Sequence, residues 1–338
     1  MKWYKLIVSA VLLAVVLTAC GSLGGTTTTT TVGVTWDEGM TAGATRITDD
    51  GTAKDTVSVS PDGTKLLYAE ATKKNSDGRN WIWNITYLRD ANSPAKTPLI
   101  TDYAFEPSWY ADNIQFLYIS YEGGSGKIVR SSVQGGGKTY ITRAAVGDTD
   151  NYPAIKNGLI VCNTRANGKW QLVTLKENGT EPTFLGEGRC PSWHPTENKI
   201  VFIRNGDIYE MDMASNQVTQ IYTDPKYGCF SPSYSPDGKK ILFDKGADVK
   251  VDGVIKEETS GFNVFGLKLF SNTKKQDVVT EIGRRHIFVI NADGSNASPL
   301  SGGTADVRNP CWGTNDEIFC IVDTGDTQEI YKLRLRTN

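Results

Sequence analysis

The chain is poor in the residues that most chemistry uses. It has two histidines in 338 residues, His194 and His286, and neither lies near a cysteine pair. Its six cysteines include no Cys-x-x-Cys, which leaves a structural zinc site without ligands. Basic residues are not in excess: 36 Lys and Arg face 38 Asp and Glu, a formal charge of −2. A nucleic-acid binder would show a strongly basic face, so that class is set aside. No Gly-x-Ser-x-Gly occurs, and there is no room for an α/β-hydrolase domain. After residue 20 no stretch keeps a helical period over twelve residues, which excludes helix bundles and βαβ folds. The longest apolar run, Leu6–Leu17, has twelve residues and is short for a bilayer span.

That run has another reading. Lys2 and Lys5 precede it and "LTAC", Leu17–Cys20, follows it. Basic start, short apolar core, small residue and Cys resemble the lipobox of bacterial lipoproteins, with residues 1–19 as signal peptide and Cys20 as the lipidated N-terminus. Residues 20–41 contain "GSLGGTTTTTT" and read as a flexible tether. Loss of the two leader lysines would leave 34 basic against 38 acidic residues, −4, so lipid alone would hold the chain to the membrane. Gly21 stands where an inner-membrane retention signal would place Asp. The expected location is the cell envelope, and the outer membrane in a diderm organism. Five cysteines follow Cys20, and an odd number cannot all pair internally. Buried thiols are expected, with a Cys190–Cys229 bridge the pairing left open.

What the chain has in abundance is a repeat. "SPSYSPDGKKILF" ends at Phe243 and has counterparts at Thr56–Tyr68, Glu106–Tyr118, Tyr152–Val161, Cys190–Phe202 and Asn309–Cys320. A Pro or Val recurs at 57, 107, 153, 191, 232 and 310, with gaps of 50, 46, 38, 41 and 78 residues. Each copy continues with an apolar run, a second β-rich run, a polar turn and a short fourth run. Strands of this length between Asp, Asn, Gly and Pro mean an all-β chain. Four strands in 40–50 residues, repeated, mean a β-propeller with blades of four antiparallel strands.

Within that frame SPDG is a turn. Pro sets φ, Asp caps its own backbone and Gly supplies positive φ, which reverses the chain between the first two strands. Alternation along the strand sends Ser and Trp of Pro-Ser-Trp to opposite faces, the small residue making room for the large ring of the next blade. "ATRITDD", Ala44–Asp50, is a fourth-strand run standing alone, and the last copy stops after its third strand. The N-terminal strand is therefore expected to close the ring as the outer strand of the last blade. The propeller is placed at residues 42–338. Six blades fit the six copies; an insertion at about 246–283 in blade five fills the long gap, or else a degenerate seventh blade does. "VKVDGVIKE" in that insertion reads as a hairpin turning at Asp252–Gly253.

"PSYSPDGKKILF" with the later "IFVINADGSNASPLS" resembles the TolB-type propeller repeat from about Ala44 onward. The same repeat occurs in the non-catalytic propellers of prolyl-oligopeptidase and dipeptidyl-peptidase relatives. TolB proteins carry an α/β domain before the propeller and no lipobox, and this chain differs on both counts. The resemblance implies an envelope protein whose propeller binds a partner.

No catalytic group is assigned. His194 occupies a turn position and His286 opens a third strand. Metal-dependent sugar lyases with related propellers use several histidines, which this chain lacks. "QGGGKT", Gln134–Thr139, has Ser132 where a phosphate loop needs Gly, and falls where another copy has a hairpin turn. "DTDN", Asp148–Asn151, and "DTGDT", Asp323–Thr327, match no EF-hand spacing; no cofactor is expected, a calcium ion in the channel being the one exception left open. The loops entering the innermost strands should ring the channel. Glu106, Tyr152, Arg189, Phe230, Arg308 and Asn309 are the binding candidates there, since aromatics and Arg are common anchors. The expected partners are the membrane, through lipid, and a protein, small ligand or oligosaccharide at the propeller face. The expected function is binding or scaffolding. The alternatives are an envelope enzyme acting on polysaccharide or peptide, or an accessory subunit of a separate enzyme. A glycosidase would need two carboxylates about 5–10 Å apart, with Glu106, Glu187 and Asp306 the candidates.

Overall fold

The SPDG segments fold as one repeated turn. Ser60 Oγ donates to Asp62 Oδ1 (2.5 Å), the Thr64 N–H donates to the same oxygen (3.0 Å), and Gly63 takes φ +74°. The copy at Ser235 matches it: Ser235 Oγ to Asp237 Oδ1 at 2.7 Å, Lys239 N to the same oxygen at 3.1 Å, Gly238 at φ +74°. Asp thus satisfies the turn's backbone while Gly takes the left-handed step.

These turns join strands in a computed structural model that describes residues 33–336 apart from 75–80, 89, 94, 102 and 265–266. Six four-stranded antiparallel sheets form the ring, and no helix occurs among the described residues. Their inner strands are Lys54–Val59, Ala104–Trp109, Asp150–Lys156, Arg189–Trp193, Cys229–Tyr234 and Asp306–Trp312, in blades one to six. Blades one to five run inner to outer in chain order. Blade six takes its outer strand from the N-terminal side: Thr41–Arg46 pairs antiparallel with Gln328–Leu335, in register from Thr41↔Leu335 to Arg46↔Tyr331. Ring closure by an N-terminal strand is as the repeat implies, starting three residues earlier than Ala44. Val34–Trp36, inside the segment read as tether, pairs with Ser301–Gly303.

The 78-residue gap holds no seventh blade. The second and third strands of blade five, Lys240–Val264 and Leu267–Asn291, are prolonged into one ribbon with continuous pairing from Lys240↔Asn291 to Val264↔Leu267. Asp252–Gly253 is not its turn. The ladder passes from Val251↔Thr280 to Val254↔Val278, so two residues oppose one there and the pair sits in a bulge. The partner of Val251 lies on the returning strand, which leaves no local reversal for Asp-Gly to make.

Six apolar clusters lie between neighbouring blades. One joins Leu117, Ile119 and Ile128 of blade two to Ile160, Cys162 and Val173 of blade three, all fully buried. Each such side chain stabilises by about 1.5–3 kcal/mol. Trp of the Pro-Ser-Trp copies adds a polar staple. The indole N–H of Trp109, Trp193 and Trp312 donates to the backbone oxygen of Ser58, Ala154 and Ser233 in the preceding blade, at 3.1, 3.2 and 3.2 Å. The small residue is therefore the acceptor as well as the space for the ring. Turns also dock on turns: the Asp62 and Asp237 N–H groups donate to Asn113 and Asn315 Oδ1 of the next blade, both at 2.9 Å.

Candidate functional site

Each inner strand carries a register shift at the residue before the motif Pro, or before Val57 in blade one. In blades two to six that residue is left-handed: Glu106 (φ 54°), Tyr152 (52°), Cys190 (51°), Ser231 (49°) and Asn309 (48°). A non-glycine residue held there costs about 1–3 kcal/mol, and Pro accompanies it without loss because a bulge needs no ladder N–H. The result is a ring of equivalent residues around the axis. Residues from all six blades, including Glu106, Tyr152, Cys190 and Asn309, line an axial cavity of about 190 Å3.

Hydrogen bonds pass around this ring. Ser231 Oγ donates to Asn309 Oδ1 (3.3 Å), and Asn309 Nδ2 donates to Asp55 Oδ1 (2.6 Å). The Glu106 N–H donates to Thr56 Oγ1 (3.2 Å), and Glu106 Oε2 accepts the Tyr152 N–H (2.6 Å). Burial pushes the Glu106 carboxyl up to about 8, against the Tyr152 N–H and with help from Asp55. The folded chain therefore keeps a proton that the unfolded chain, at its ordinary 4.5, has released. Stability contributed by this group falls as pH rises from 4.5 toward 8 and is level above. Glu106→Gln is expected to flatten that slope by about 1–3 kcal/mol between about pH 5 and pH 9. Thermal melts across that range check it; parallel curves for the two proteins would refute it.

The candidates divide into two sets. Glu106, Tyr152 and Asn309 line the cavity, while Arg189, Phe230 and Arg308 stand one residue earlier in their strands. Arg308 is committed to the fold. Its guanidinium contacts Asp323 (3.3 Å) and Asp306 (3.5 Å) and donates to the Lys54 oxygen (3.2 Å). Asp306 also pairs with Arg285 (3.3 Å), which pairs with buried Asp244 (3.2 Å). Burial raises Asp244 to about 6, with Arg285 opposing. The Lys54 side chain, beyond the backbone oxygen that Arg308 reaches, is fully buried between Asp50 (2.6 Å) and Glu329 (3.1 Å). These pairs tie blades five, six and one together where the ring closes. Repeat spacing could not reveal the links that cross blades, Arg285 to Asp306 and Lys54 to Glu329, since those partners belong to different copies.

Of the three carboxylates considered for glycoside chemistry, Glu106 alone lines the cavity. Asp306 sits between Arg285 and Arg308, and Glu187 pairs with Lys169 at an exposed position. His194 serves its turn: Nδ1 accepts the Glu197 N–H (2.9 Å) and the ring meets Tyr234 edge-on at 4.6 Å. His286 is buried on a third strand, and burial lowers its pKa. Cys190 and Cys229 are both free thiols, which removes the bridge left open, and burial raises each to about 12. "QGGGKT" spans the turn between Lys127–Ser132 and Thr139–Tyr140. The Asp-rich turns use their oxygens internally: Asp150 accepts the Val146 N–H (3.0 Å), and Asp323 accepts the Gly325 N–H (2.8 Å). Among the described residues no three His, Cys, Asp or Glu side chains gather as metal ligands. Cys20 lies outside the described residues.

No family model matches the sequence, and no curated protein is similar to it. Solved structures are. A putative TolB from Agrobacterium tumefaciens, 16% identical, matches with TM-score 0.53 over 85% of this chain and 91% of that one. The fold is that of a TolB-like propeller. TolB from Acinetobacter baumannii, 12% identical, gives TM-score 0.50 over 81% of this chain and 64% of its own. A gluconolactonase from Xanthomonas campestris, 11% identical, gives 0.55 over 90% and 94%. At these identities the likeness is one of propeller fold, which does not by itself assign an activity.

Proposed function

We propose that this TolB-like propeller is a lipid-anchored envelope protein that binds a partner polypeptide at the mouth of its axial cavity. One observation carries the reading: all six blades converge on that cavity, while Arg189 and Phe230 remain available beside it. Phe230 is half-buried, with the Arg189 and Arg285 guanidinium carbons 5.9 and 5.6 Å from its ring centroid. An aromatic flanked by Arg is a common anchor in interfaces. Anchoring rests on the Leu17–Cys20 motif, and the Thr-rich segment after it would give the propeller reach from the membrane.

A photo-crosslinking residue at Phe230, compared with one at exposed Thr219 on an outer strand, tests the binding surface in intact envelopes. A discrete adduct at 230 and none at 219 is expected; equal labelling or none at both positions would overturn the reading. Cys20→Ala is expected to move the protein out of the membrane fraction, and retention there would remove the lipid anchor from the proposal.

A further inference from the structure

A second cavity, of about 300 Å3, opens between blades three and four, next to the axial one. Lys169 and Trp170 begin the third strand of blade three (Lys169–Lys176), Glu187 ends its fourth (Thr183–Glu187), Arg189 starts the inner strand of blade four, and Arg204 ends that blade's second strand (Lys199–Arg204). Three cations therefore face one carboxylate. Arg204 is fixed in place: its Nε donates to the Glu187 backbone oxygen (2.9 Å), and its guanidinium carbon lies 5.1 Å from the Phe202 ring centroid and 5.3 Å from that of Tyr209. Lys169 holds the Glu187 carboxylate at the rim. Arg189 is exposed and has no carboxylate partner among the described residues. The next residue, Cys190, lines the axial cavity, so the two cavities adjoin along the chain. Gly188 holds the loop down. A Cβ there would come within 2.8 Å of Phe202 and 2.9 Å of Leu172, so the backbone rests directly on the blade cores.

We propose that this pocket receives a carboxylate of an extended peptide, while a neighbouring apolar side chain of that peptide enters the axial cavity. The inference rests on the channel-mouth reading above and adds the chemistry of the ligand. Arg recognises carboxylates by paired hydrogen bonds, and Arg189 has its donors uncommitted to any carboxylate. The pocket already presents one carboxylate, Glu187, to Lys169, so a monoanion suits it better than a phosphate dianion beside Glu187. A peptide suits it better than a polysaccharide. Five prolines, at 107, 153, 191, 232 and 310, line the axial wall and offer no N–H to sugar hydroxyls, whereas an apolar side chain loses nothing against them.

The test uses the full chain in detergent and acetylated hexapeptides of Leu, Ala and Glu, each matched by a Gln-for-Glu counterpart, with polygalacturonate as a polyanionic saccharide. Glu peptides are expected to bind at least about tenfold more tightly than their Gln counterparts, in a salt-sensitive way. Arg189→Gln should bring that ratio to within about twofold, and Glu187→Gln should tighten Glu-peptide binding. Thermal melts confirm that both exposed-site variants fold. Equal binding of Glu and Gln peptides, or an unchanged ratio in Arg189→Gln, would overturn the proposal. Arg189-dependent binding of polygalacturonate without peptide binding would replace the peptide by a saccharide. Failure of every probe while the adduct at Phe230 still forms would overturn the carboxylate pocket alone, leaving the channel-mouth reading in place.

Discussion

Removal of residues 33–48 is expected to lower the melting temperature by about 10 °C or more, from a loss of about 5 kcal/mol. The segment supplies the outer strand of blade six, and without it the edge of Gln328–Leu335 faces water unpaired. Ile47, 7% exposed, leaves a cluster with Val57, Leu66, Phe319 and Ile330, which alone costs about 1.5–3 kcal/mol. Thr48 Oγ donates to Glu329 Oε2 (2.5 Å) and accepts the Ile330 N–H (2.9 Å). With Arg46, which contacts Glu329 Oε1 (3.1 Å), its loss strips two partners from a carboxylate that is 2% exposed and that also holds Lys54. Breaking one side of such a buried group is costly because the charge stays behind. Differential scanning fluorimetry reads the shift, and an unchanged melting temperature would mean that the ring does not depend on this strand. The truncated protein should also aggregate on concentration, since the freed edge is a template for pairing.

Trp312→Ala is expected to destabilise the fold by about 3–5 kcal/mol. Trp312 is 8% exposed and packs with Leu242, Ile318 and Leu333 in the cluster that joins blades five and six. Its indole N–H is also the staple to Ser233 of the preceding blade. Trp312→Phe separates the two contributions. It keeps most of the ring and loses the hydrogen bond, so about 1–2 kcal/mol is expected. Urea denaturation measures both. An Ala variant within about 1 kcal/mol of wild type would show that the wedge does not hold the blades together.

Much of the fold is legible in the amino-acid order, and the reason is locality. The hydrogen bonds that shape the SPDG turn itself run within five residues, so the turn reads the same in both copies wherever they fall. Alternation puts Ser and Trp on opposite faces, and the Trp staples use that geometry at 109, 193 and 312. The lone fourth-strand run near Ala44 announces the closure. Asp252–Gly253 misleads because Asp-Gly suits a bulge as well as a turn, and only the partner strand distinguishes them.

The site is less legible. Arg189 and Arg308 look alike in sequence, each the residue before an X-Pro step. One is exposed and the other is locked among Asp306, Asp323 and the Lys54 backbone. Glu106 and Asp306 are both carboxylates near an inner strand, yet one lines the cavity with its pKa raised and the other is held by two arginines.

The blade, its four strands and its turn are written in the residue order, because each follows from the period of two and from turn chemistry among near neighbours; that the 78-residue gap holds a prolonged ribbon and no seventh blade follows only from the strand pairing. Which charges are bound and which are available depends on how the ring closes. Ser231 meets Asn309 across 78 residues and Arg308 meets Lys54 across 254. Closure brings such groups together, and a charge buried at that seam must find a partner there whatever its place in the repeat.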